Sequence, residues 1–436
     1  MQGLFTLCAV AYLLIYAFEG AIRYGLYSVG ADSAILLRDG LIIGPLLLLL
    51  AAQAFRTRVH PAFFAFGAIV ALHGIISTLN FHTTFPAIYG AKLLVNVLFG
   101  FIAARALVLP SKKVVLLLGL VWAISVFGVV LDKFFVTFPW MGIETHIGGI
   151  SVDVSRGWDI DDNGISKRAA GFTRSSISAA MLLPTLALII ALRMRSYLLR
   201  MLMLFATVGA VFMTTQKGAV VAIGAVTLIL AAPGFMRYRL LCWAAIAFAI
   251  IDVALPIFTS GLLISDNGGV FSFASFAMRI SGTWPDAWRW ISDNNLFPFG
   301  DGLGGIGGAQ RFYAQDLFNP SDNLFIFIYA NFGVLSLFYL GWAIWQGLRQ
   351  PPDTRVAAIT PLALLVFHLG YGAALSMLED QVSQLYFGAS VGMLWMLRQM
   401  AGAKPWANPF RGAPIRFGGP AITYNPKRPA HAVEAP

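Results

Sequence analysis

The sequence predicts an all-α polytopic membrane protein with about twelve transmembrane helices. Hydrophobic residues make up 58% of the chain and charged residues 11%, whereas soluble domains contain roughly 45–50% apolar and 25% charged residues. Apolar runs close to the roughly 20 residues that cross a hydrocarbon core recur along almost the whole chain. The short connections on one side of these runs are basic. Together these observations favour a bundle of membrane helices over a soluble domain.

Each predicted helix corresponds to one apolar run. The first run has no basic leader and no small-residue cleavage site, so we expect a retained helix and not a removable signal peptide. Both cysteines lie inside runs, which disfavours a thiolate metal site, and no metal or cofactor is expected. The runs span roughly residues 2–19, 33–54, 61–80, 86–108, 114–131, 175–192, 199–215, 218–232, 238–258, 323–347, 356–377 and 382–398.

The basic residues predict the orientation of the chain. Short loops rich in Lys and Arg stay in the cytoplasm, so both termini are expected there, and in a bacterial inner membrane the opposite face is periplasmic. Residues 1–400 are predicted to form one transmembrane domain, and the Pro-, Lys- and Arg-rich residues 401–436 a disordered cytoplasmic tail. The basic residues on this side are Arg56, Arg58, Lys112, Lys113, Arg193, Arg195, Arg200, Arg237, Arg239, Arg349 and Arg355, followed by those of the tail.

The formal net charge of +10 does not indicate nucleic-acid binding. A nucleic-acid site concentrates its basic residues on one face or helix. Here they are spread over many short loops, where topology and anionic headgroups account for them. We therefore expect membrane lipids, and no nucleic acid, as partners.

Two long connections on the outer face, roughly residues 132–174 and 259–322, are predicted to be structured and to contain short amphipathic helices. Apolar residues in the second recur every three or four positions, as on one helix face. Thr283 with Asp286 three residues later, and Pro285 between them, resembles a helix start. Such a helix would lie on the outer leaflet with its tryptophans near the headgroups, or would pack on the bundle. The periodic residues are Phe276, Ile280, Trp284, Trp288 and Ile291.

A glycine-rich stretch, "FPFGDGLGGIGG", follows this segment. Its glycines permit positive φ angles and a close approach of the main chain to a ligand. It lacks the G-x-x-x-x-G-K-S/T pattern of nucleotide-binding loops, and no strand obviously precedes it. A ligand cradle and a plain flexible turn both remain open.

Five basic residues at the outer ends of the runs are the candidate ligands for a diphosphate. Guanidinium groups bind phosphate through paired donors, and lysine supplies a compact charge. A lipid diphosphate in the outer leaflet presents two phosphates at this depth. Each residue alone also fits a headgroup contact or a salt bridge. The five are Arg168, Arg174, Lys217, Arg279 and Arg311.

The order of these motifs resembles the O-antigen ligase and Wzy-type polymerase superfamily, membrane glycosyltransferases of the GT-C type. An Arg-x-x-Gly segment (168–171) opens one run, and a short hairpin carries Gln216, Lys217 and Gly218. A long outer loop with an early arginine, Arg279, then leads through "FPFGDGLGG" to the pair 322–323 and Gly333. The resemblance covers roughly residues 165–345 and rests on short motifs in order.

The resemblance implies a GT-C-like fold that transfers oligosaccharide from undecaprenyl diphosphate to a sugar hydroxyl in the periplasm, without metal or nucleotide. Arg168, Lys217 and Arg279 would hold the diphosphate and stabilise the leaving group. Saccharide contacts are expected from the loop residues Trp158, Trp290, Tyr313 and Asp316, although interface anchoring explains such tryptophans nearly as well.

Two positions depart from the family pattern. Many members, ligases especially, have His-Asn where this chain has Asp322-Asn323, and often Ser-Arg where it has Gln216-Lys217. The first departure moves the general base from imidazole to carboxylate, with Asn323 orienting the base or a sugar. Ser321, Asp322 or Asn323 also suits a plain helix N-cap.

The expected function is polymerisation of undecaprenyl-diphosphate-linked repeat units into exopolysaccharide, capsule or O-antigen, with other polysaccharide-assembly proteins as further partners. The missing histidine favours this over a ligase or oligosaccharyltransferase. A different class, a lipid-linked oligosaccharide flippase or other transporter, is favoured by charges inside predicted runs, because such charges are expensive beside lipid. They are Arg38, Asp39, Lys92 and Asp252. No internal repeat supports that class.

Overall fold

The computed structural model describes residues 1–56, 59–147, 150–155, 167–260, 262, 274–313 and 315–402. The described chain is almost entirely helical. In its first half the helices are α1 Gln2–Ala17, α2 Glu19–Ser28, α3 Leu37–Ala54, α4 Pro61–Phe81, α5 Phe85–Ile102, α6 Ala104–Val108, α7 Lys112–Phe134, α8 Ser176–Ala191, α9 Tyr197–Met213 and α10 Lys217–Ala231.

The second half continues in the same way. Short single turns, 3₁₀ or π, join several of its helices. The helices are α11 Gly234–Thr259, α12 Ala274–Met278, α13 Trp284–Asp293, α14 Gly308–Tyr313, α15 Leu324–Phe332, α16 Leu335–Leu348, α17 Arg355–Gly372 and α18 Gln381–Gly402.

Each of the twelve predicted apolar runs coincides with a helix, and the run 323–347 is broken into α15 and α16 at Gly333. Gly333 has a φ of 57°. A Cβ there would lie 2.5 Å from the amide nitrogen of Phe299. Since only glycine combines that φ with such a close approach, this residue fixes the break.

Six helices are long and apolar enough to cross a membrane by length and composition. The pair α1 and α2, bent by 76°, makes a seventh if it is one span, and α8, α9 and α10 are apolar but shorter. The described residues therefore form a multi-pass membrane protein. The six are Asp32–Ala54, Pro61–Phe81, Phe85–Ile102, Lys112–Phe134, Gly234–Thr259 and Arg355–Gly372.

Helices α5 and α18 pack so closely that their glycines leave no room for side chains. A Cβ on Gly100 would lie 2.0 Å from the carbonyl oxygen of Leu385. Cβ atoms on Gly388 and Gly392 would lie 2.1 and 2.4 Å from carbonyl oxygens of α5. Small residues let membrane helices approach in this way. In the same interface Asn96 donates a 2.6 Å hydrogen bond to Gln384.

The first long loop contains a β-hairpin in its described part, where we expected an amphipathic helix. Strand β1, Glu144–Ile147, pairs antiparallel with β2, Ile150–Asp153. Trp140 packs beside it and stacks on Phe138 with ring centroids 4.5 Å apart. This hairpin contains the only β-strands among the described residues.

The second long loop contains the expected helix, and α13 begins directly after Thr283, with Pro285 in its first turn. The Thr283 side chain makes no capping hydrogen bond, and a π-helical turn over Arg279–Thr283 joins α12 directly to α13. Trp284 is fully buried, and Ala287 and Ile291 are buried with it. The apolar face of α13 therefore packs on the bundle, which was the alternative to an outer-leaflet position.

The glycine-rich stretch approaches neighbouring helices rather than enclosing an open cradle. A Cβ on Gly302, whose φ is +83°, would lie 2.3 Å from the amide nitrogen of Ser77 in α4. A Cβ on Gly304, whose φ is +76°, would lie 2.3 Å from the carbonyl oxygen of Pro86 in α5. The positive φ values thus serve close packing against α4 and α5.

Asp301 in this stretch predicts a pH dependence of stability. It is buried, and Asn80 donates to its Oδ1 at 2.6 Å. Burial raises the pKa of Asp301 from 3.8 to about 7. Between these two values the folded protein binds more protons than the unfolded chain, so the free energy of unfolding falls as pH rises. In Asp301→Asn we expect the midpoint of thermal unfolding, measured in detergent, to depend less on pH across this window.

The control for that experiment is Asp353→Asn, because Asp353 is exposed in a connection between helices. It should keep the wild-type profile. A wild-type midpoint that does not fall over this pH range, or one that falls equally in Asp301→Asn, would contradict the assignment to Asp301.

Candidate functional site

A cavity of about 390 Å³ lies where several helix ends meet. The end of α1, the start of α5, the residues before α8 and α15, and the start of α18 all contribute to it. These ends belong to the face that the charge pattern predicts to be the outer one. The charged residues of its lining are Glu19, Lys92, Asp153, Arg174, Arg311, Asp322, Glu379 and Asp380.

Three of the expected site residues, Arg174, Arg311 and Asp322, line this cavity. A fourth, Arg279, joins it through an ion pair, with Nε 3.2 Å from Oδ2 of Asp322. Arg279 occupies the first position of the π-helical turn, and its Nη1 donates to the carbonyl oxygen of Ser275. Such turns occur frequently at functional sites.

The structure separates the roles of Asp322 and Asn323. Asn323 is the N-cap of α15, and its side chain accepts a 3.0 Å hydrogen bond from the amide of Ile326. Its Nδ2 donates to the carbonyl oxygens of Asp252 and Ala373. Asn323 is fully buried and does not line the cavity. Its place is therefore that of a positioning residue, distant from direct contact with a sugar.

Asp322 does not cap the helix and faces the cavity. Ser321 and Asp322 have φ values of 55° and 43°, a left-handed conformation that costs non-glycine residues roughly 1–3 kcal/mol each. The neighbouring cap at Asn323 and the ion pair to Arg279 hold this backbone. The carboxylate of Asp322 is consequently left for the cavity and for Arg279.

The Arg-x-x-Gly segment is held by Asp132, near the end of α7. Oδ2 of Asp132 accepts hydrogen bonds from the amides of Ala170 and Gly171, at 2.7 and 2.9 Å. Its Oδ1 is paired with Lys167 at 2.8 Å. Gly171 has a φ of +61°, and a Cβ there would lie 2.9 Å from a backbone nitrogen of α7. The clamp thus fixes the backbone that carries Arg168.

Tyr371, at the end of α17, interacts with a second group of the expected residues. Its hydroxyl donates a 3.0 Å hydrogen bond to Oε1 of Gln216, whose Nε2 in turn donates to Ser176. Charges on Arg279, Asp322 and Arg168 act on the same hydroxyl. Arg168 and the Arg279–Asp322 pair therefore both lie within electrostatic range of Tyr371. Lys217 follows Gln216 as the first residue of α10, and its side chain is exposed.

The expected saccharide residues are not gathered at the cavity. Tyr313 is 38% exposed and stacks on Phe85 with ring centroids 5.5 Å apart. Asp316 is exposed in a short 3₁₀ turn. Trp290 is half-buried against the helical core. None of the three lines the cavity, and Trp158 lies outside the described residues.

Sequence reasoning missed most of the acidic lining. Asp380 caps α18 by accepting hydrogen bonds from the amides of Val382 and Ser383, each at 3.0 Å, and the Tyr16 hydroxyl donates to its other oxygen. Burial raises the pKa of Asp380 to about 6. Glu379 accepts from the amide of Gly308. The one available signal was an acidic pair directly before the last apolar run.

Three of the four charges that fell inside predicted runs, Arg38, Asp39 and Lys92, form ion pairs beside the cavity. Glu19 pairs with Arg23 at 2.7 Å and with Arg38 at 2.8 Å. Asp39 pairs with Lys92 at 2.6 Å and lies 3.9 Å from Arg38. Among the described residues, no three His, Cys, Asp or Glu side chains are arranged to hold a metal ion.

Comparisons with known proteins assign no family to the chain. No protein-family model matches it, and no curated protein matches it. The order of the motifs and their geometry are therefore the observations on which a function can be proposed.

The Asp132 clamp predicts a loss of stability when its charge is removed. Its side chain is fully buried, and removing one partner of a buried pair costs about 3–5 kcal/mol. We expect Asp132→Asn to lower the midpoint of thermal unfolding and to speed hydrogen exchange over residues 167–175. The matched Asp353→Asn variant should change neither. Unchanged exchange in Asp132→Asn would mean that the clamp does not hold this segment.

Proposed function

We propose that the chain is a metal-independent membrane glycosyltransferase that polymerises undecaprenyl-diphosphate-linked oligosaccharide repeat units. It would act in a bacterial inner membrane with twelve spans, both termini in the cytoplasm and the site in the periplasm. The products would be exopolysaccharide, capsule or O-antigen chains. The motif order over residues 165–345 and the geometry around Asp322 support this proposal.

The Arg279–Asp322 ion pair at the cavity is the observation that carries it. It combines a carboxylate that is not used as a cap with a guanidinium on the π-helical turn before α13. Arg174 and Arg311 line the same cavity, and Arg168 lies near Tyr371 beside the pair. A glycosyl transfer from a diphosphate needs a base for the attacking hydroxyl and cations for the departing diphosphate.

In this mechanism Asp322 accepts the proton of the acceptor hydroxyl as that oxygen attacks the anomeric carbon of the donor sugar. The bond between that carbon and the diphosphate oxygen breaks, and its electron pair leaves with the diphosphate. Arg279 orients Asp322 beforehand, and with Arg168 it stabilises the negative charge on the leaving group. Because the ion pair is only partly exposed, water screens these charges less than it would on an open surface.

The transporter alternative loses part of its support. The charges at Arg38, Asp39 and Lys92 belong to ion pairs at helix ends beside the cavity. Only Asp252, buried in α11, keeps the character of an isolated charge position inside the bundle. Ion pairs at the cavity wall suit a ligand site at one membrane face better than a path across the membrane.

The first experiment mixes purified protein in nanodiscs with lipid-linked repeat units and no other acceptor, and resolves the products by size. A ladder of multiples is the expected result. If the folded protein binds the lipid without forming a ladder, an external acceptor, as in a ligase, or transport takes the place of polymerisation.

Asp322→Asn tests the base. Asparagine tolerates the left-handed backbone, and Asn323 keeps the cap, so the variant should fold. A general base contributes roughly 10²–10⁴-fold, and we expect ladder formation to slow by at least about a hundredfold. Asp286→Asn, on the exposed side of α13, is the matched control. Full activity in Asp322→Asn would remove the base from the mechanism.

Arg279→Ala tests the charge partner. The variant removes the guanidinium beside Asp322, and losing one transition-state donor costs about 10²–10³-fold in rate. We expect no detectable ladder while the protein remains in the membrane. Arg289→Ala is the control, because Arg289 is 69% exposed on the neighbouring helix. Normal product lengths in Arg279→Ala would count against the diphosphate role.

A further inference from the structure

We propose that Lys92 joins Arg174 and Arg311 as an anion subsite of the cavity, and that Asp39 is an internal counter-ion that the phosphate of the ligand displaces. The inference rests on the proposed function for the identity of the ligand, a lipid diphosphate. It adds Lys92, which lies outside the segment 165–345 that resembles the family, and it explains how the negative charge of the phosphate can enter the cavity.

The three cations come from three separate elements and meet at one cavity. Lys92 belongs to α5, Arg174 lies just before α8, and Arg311 is in α14. Convergence of cations from distant parts of the chain is costly unless anions compensate them. A diphosphate between them would provide that compensation.

The pair between Lys92 and Asp39 is suited to exchange. Nζ of Lys92 lies 2.6 Å from Asp39, yet the lysine side chain is 39% exposed and the aspartate 18%. A partly exposed ion pair of this kind adds little stability. When Lys92 turns to a ligand, Asp39 is not left alone, because Arg38 already lies 3.9 Å away. Displacement therefore leaves no uncompensated carboxylate.

Arg311 lines the cavity from the short helix α14. Within the described part of the chain no ion pair involves Arg311. It lies in the last turn of α14, and Glu379 holds the start of that helix by accepting a hydrogen bond from the amide of Gly308. Glu379 thus acts as a positioning residue for Arg311.

Five carboxylates share the lining with this subsite, and arginines neutralise two of them, Glu19 and Asp322. Glu19 is paired with Arg23 and Arg38. Glu379 also accepts from the Ser376 hydroxyl at 2.9 Å, and Asp380 caps α18 as described. Asp322 has Arg279. Hydrogen bonds from neutral donors leave the charges of Glu379 and Asp380 in place, and Asp153 also lines the cavity. A phosphate is therefore held only if Lys92, Arg174 and Arg311 together outweigh these carboxylates.

The two partners of the Lys92–Asp39 pair should change affinity in opposite directions. In an anion subsite, Lys92→Gln removes a binding charge, and we expect about tenfold weaker binding of a diphosphate. Asp39→Asn frees the lysine, so binding should tighten by about threefold. In a purely structural ion pair both substitutions would weaken binding or neither would change it.

The experiment titrates farnesyl diphosphate into full-length protein in phosphatidylcholine nanodiscs. Lys113→Gln and Asp353→Asn, both at exposed positions, are the matched controls and should keep the wild-type Kd. Lys92→Arg, which retains the charge, should stay within about twofold of wild type. Thermal unfolding of each variant shows whether it is folded. If Asp39→Asn does not fold, the comparison of Lys92→Gln with Lys92→Arg still decides the test.

A wild-type protein that does not bind the probe overturns the proposal, as does weaker binding in both Lys92→Gln and Asp39→Asn. A second titration in phosphatidylglycerol nanodiscs separates a ligand site from a headgroup site. If the affinity for the probe no longer depends on Lys92 in phosphatidylglycerol, the subsite binds lipid headgroups and the proposal fails. The result is independent of the size ladder, since binding requires no transfer.

Discussion

A charge placed at membrane depth is stable only where a partner or a water-filled cavity compensates it, and this constraint organises the end of the bundle that holds the cavity. Asp132 satisfies two backbone amides and Lys167 at once. Glu19 holds two arginines from different helices. The pairs Glu19–Arg38 and Asp132–Lys167 each tie one element to another, so compensating charge also sets the positions of α2, α3 and the segment before α8. The cavity lies among groups that are already held.

Asn323 shows how one residue of a short polar motif supports the next. It satisfies the free end of α15 and reaches backbone oxygens on both α11 and the end of α17. Because the Asn323 side chain already caps α15 and bonds to two other elements, its neighbour Asp322 is not needed to cap the helix. A pair that looks redundant in sequence thus divides into a structural residue and an available carboxylate.

Features that depend on residues close together in the sequence could be predicted, and those that depend on distant residues could not. The apolar runs were recognisable because both helix formation and insertion into a membrane depend on consecutive residues. The arginine at position 279 stood out as an unexplained charge. Lys92, Glu19 and Asp380 were not recognisable as neighbours, since they are 73 to 361 residues apart in sequence. The glycine-rich stretch suggested a ligand cradle because its φ values suit one, while its actual neighbours, α4 and α5, are set by packing.

The glycine contact between α5 and α18 has a consequence for how a large amphiphile reaches the cavity. Carbonyl oxygens of each helix occupy the space that side chains would fill at the glycines of the other. These two helices therefore cannot slide or separate without losing the whole interface. They form a fixed wall, and the ligand must enter from another side. A ligand that enters the cavity from the bilayer would therefore meet the α5–α18 wall as a rigid stop.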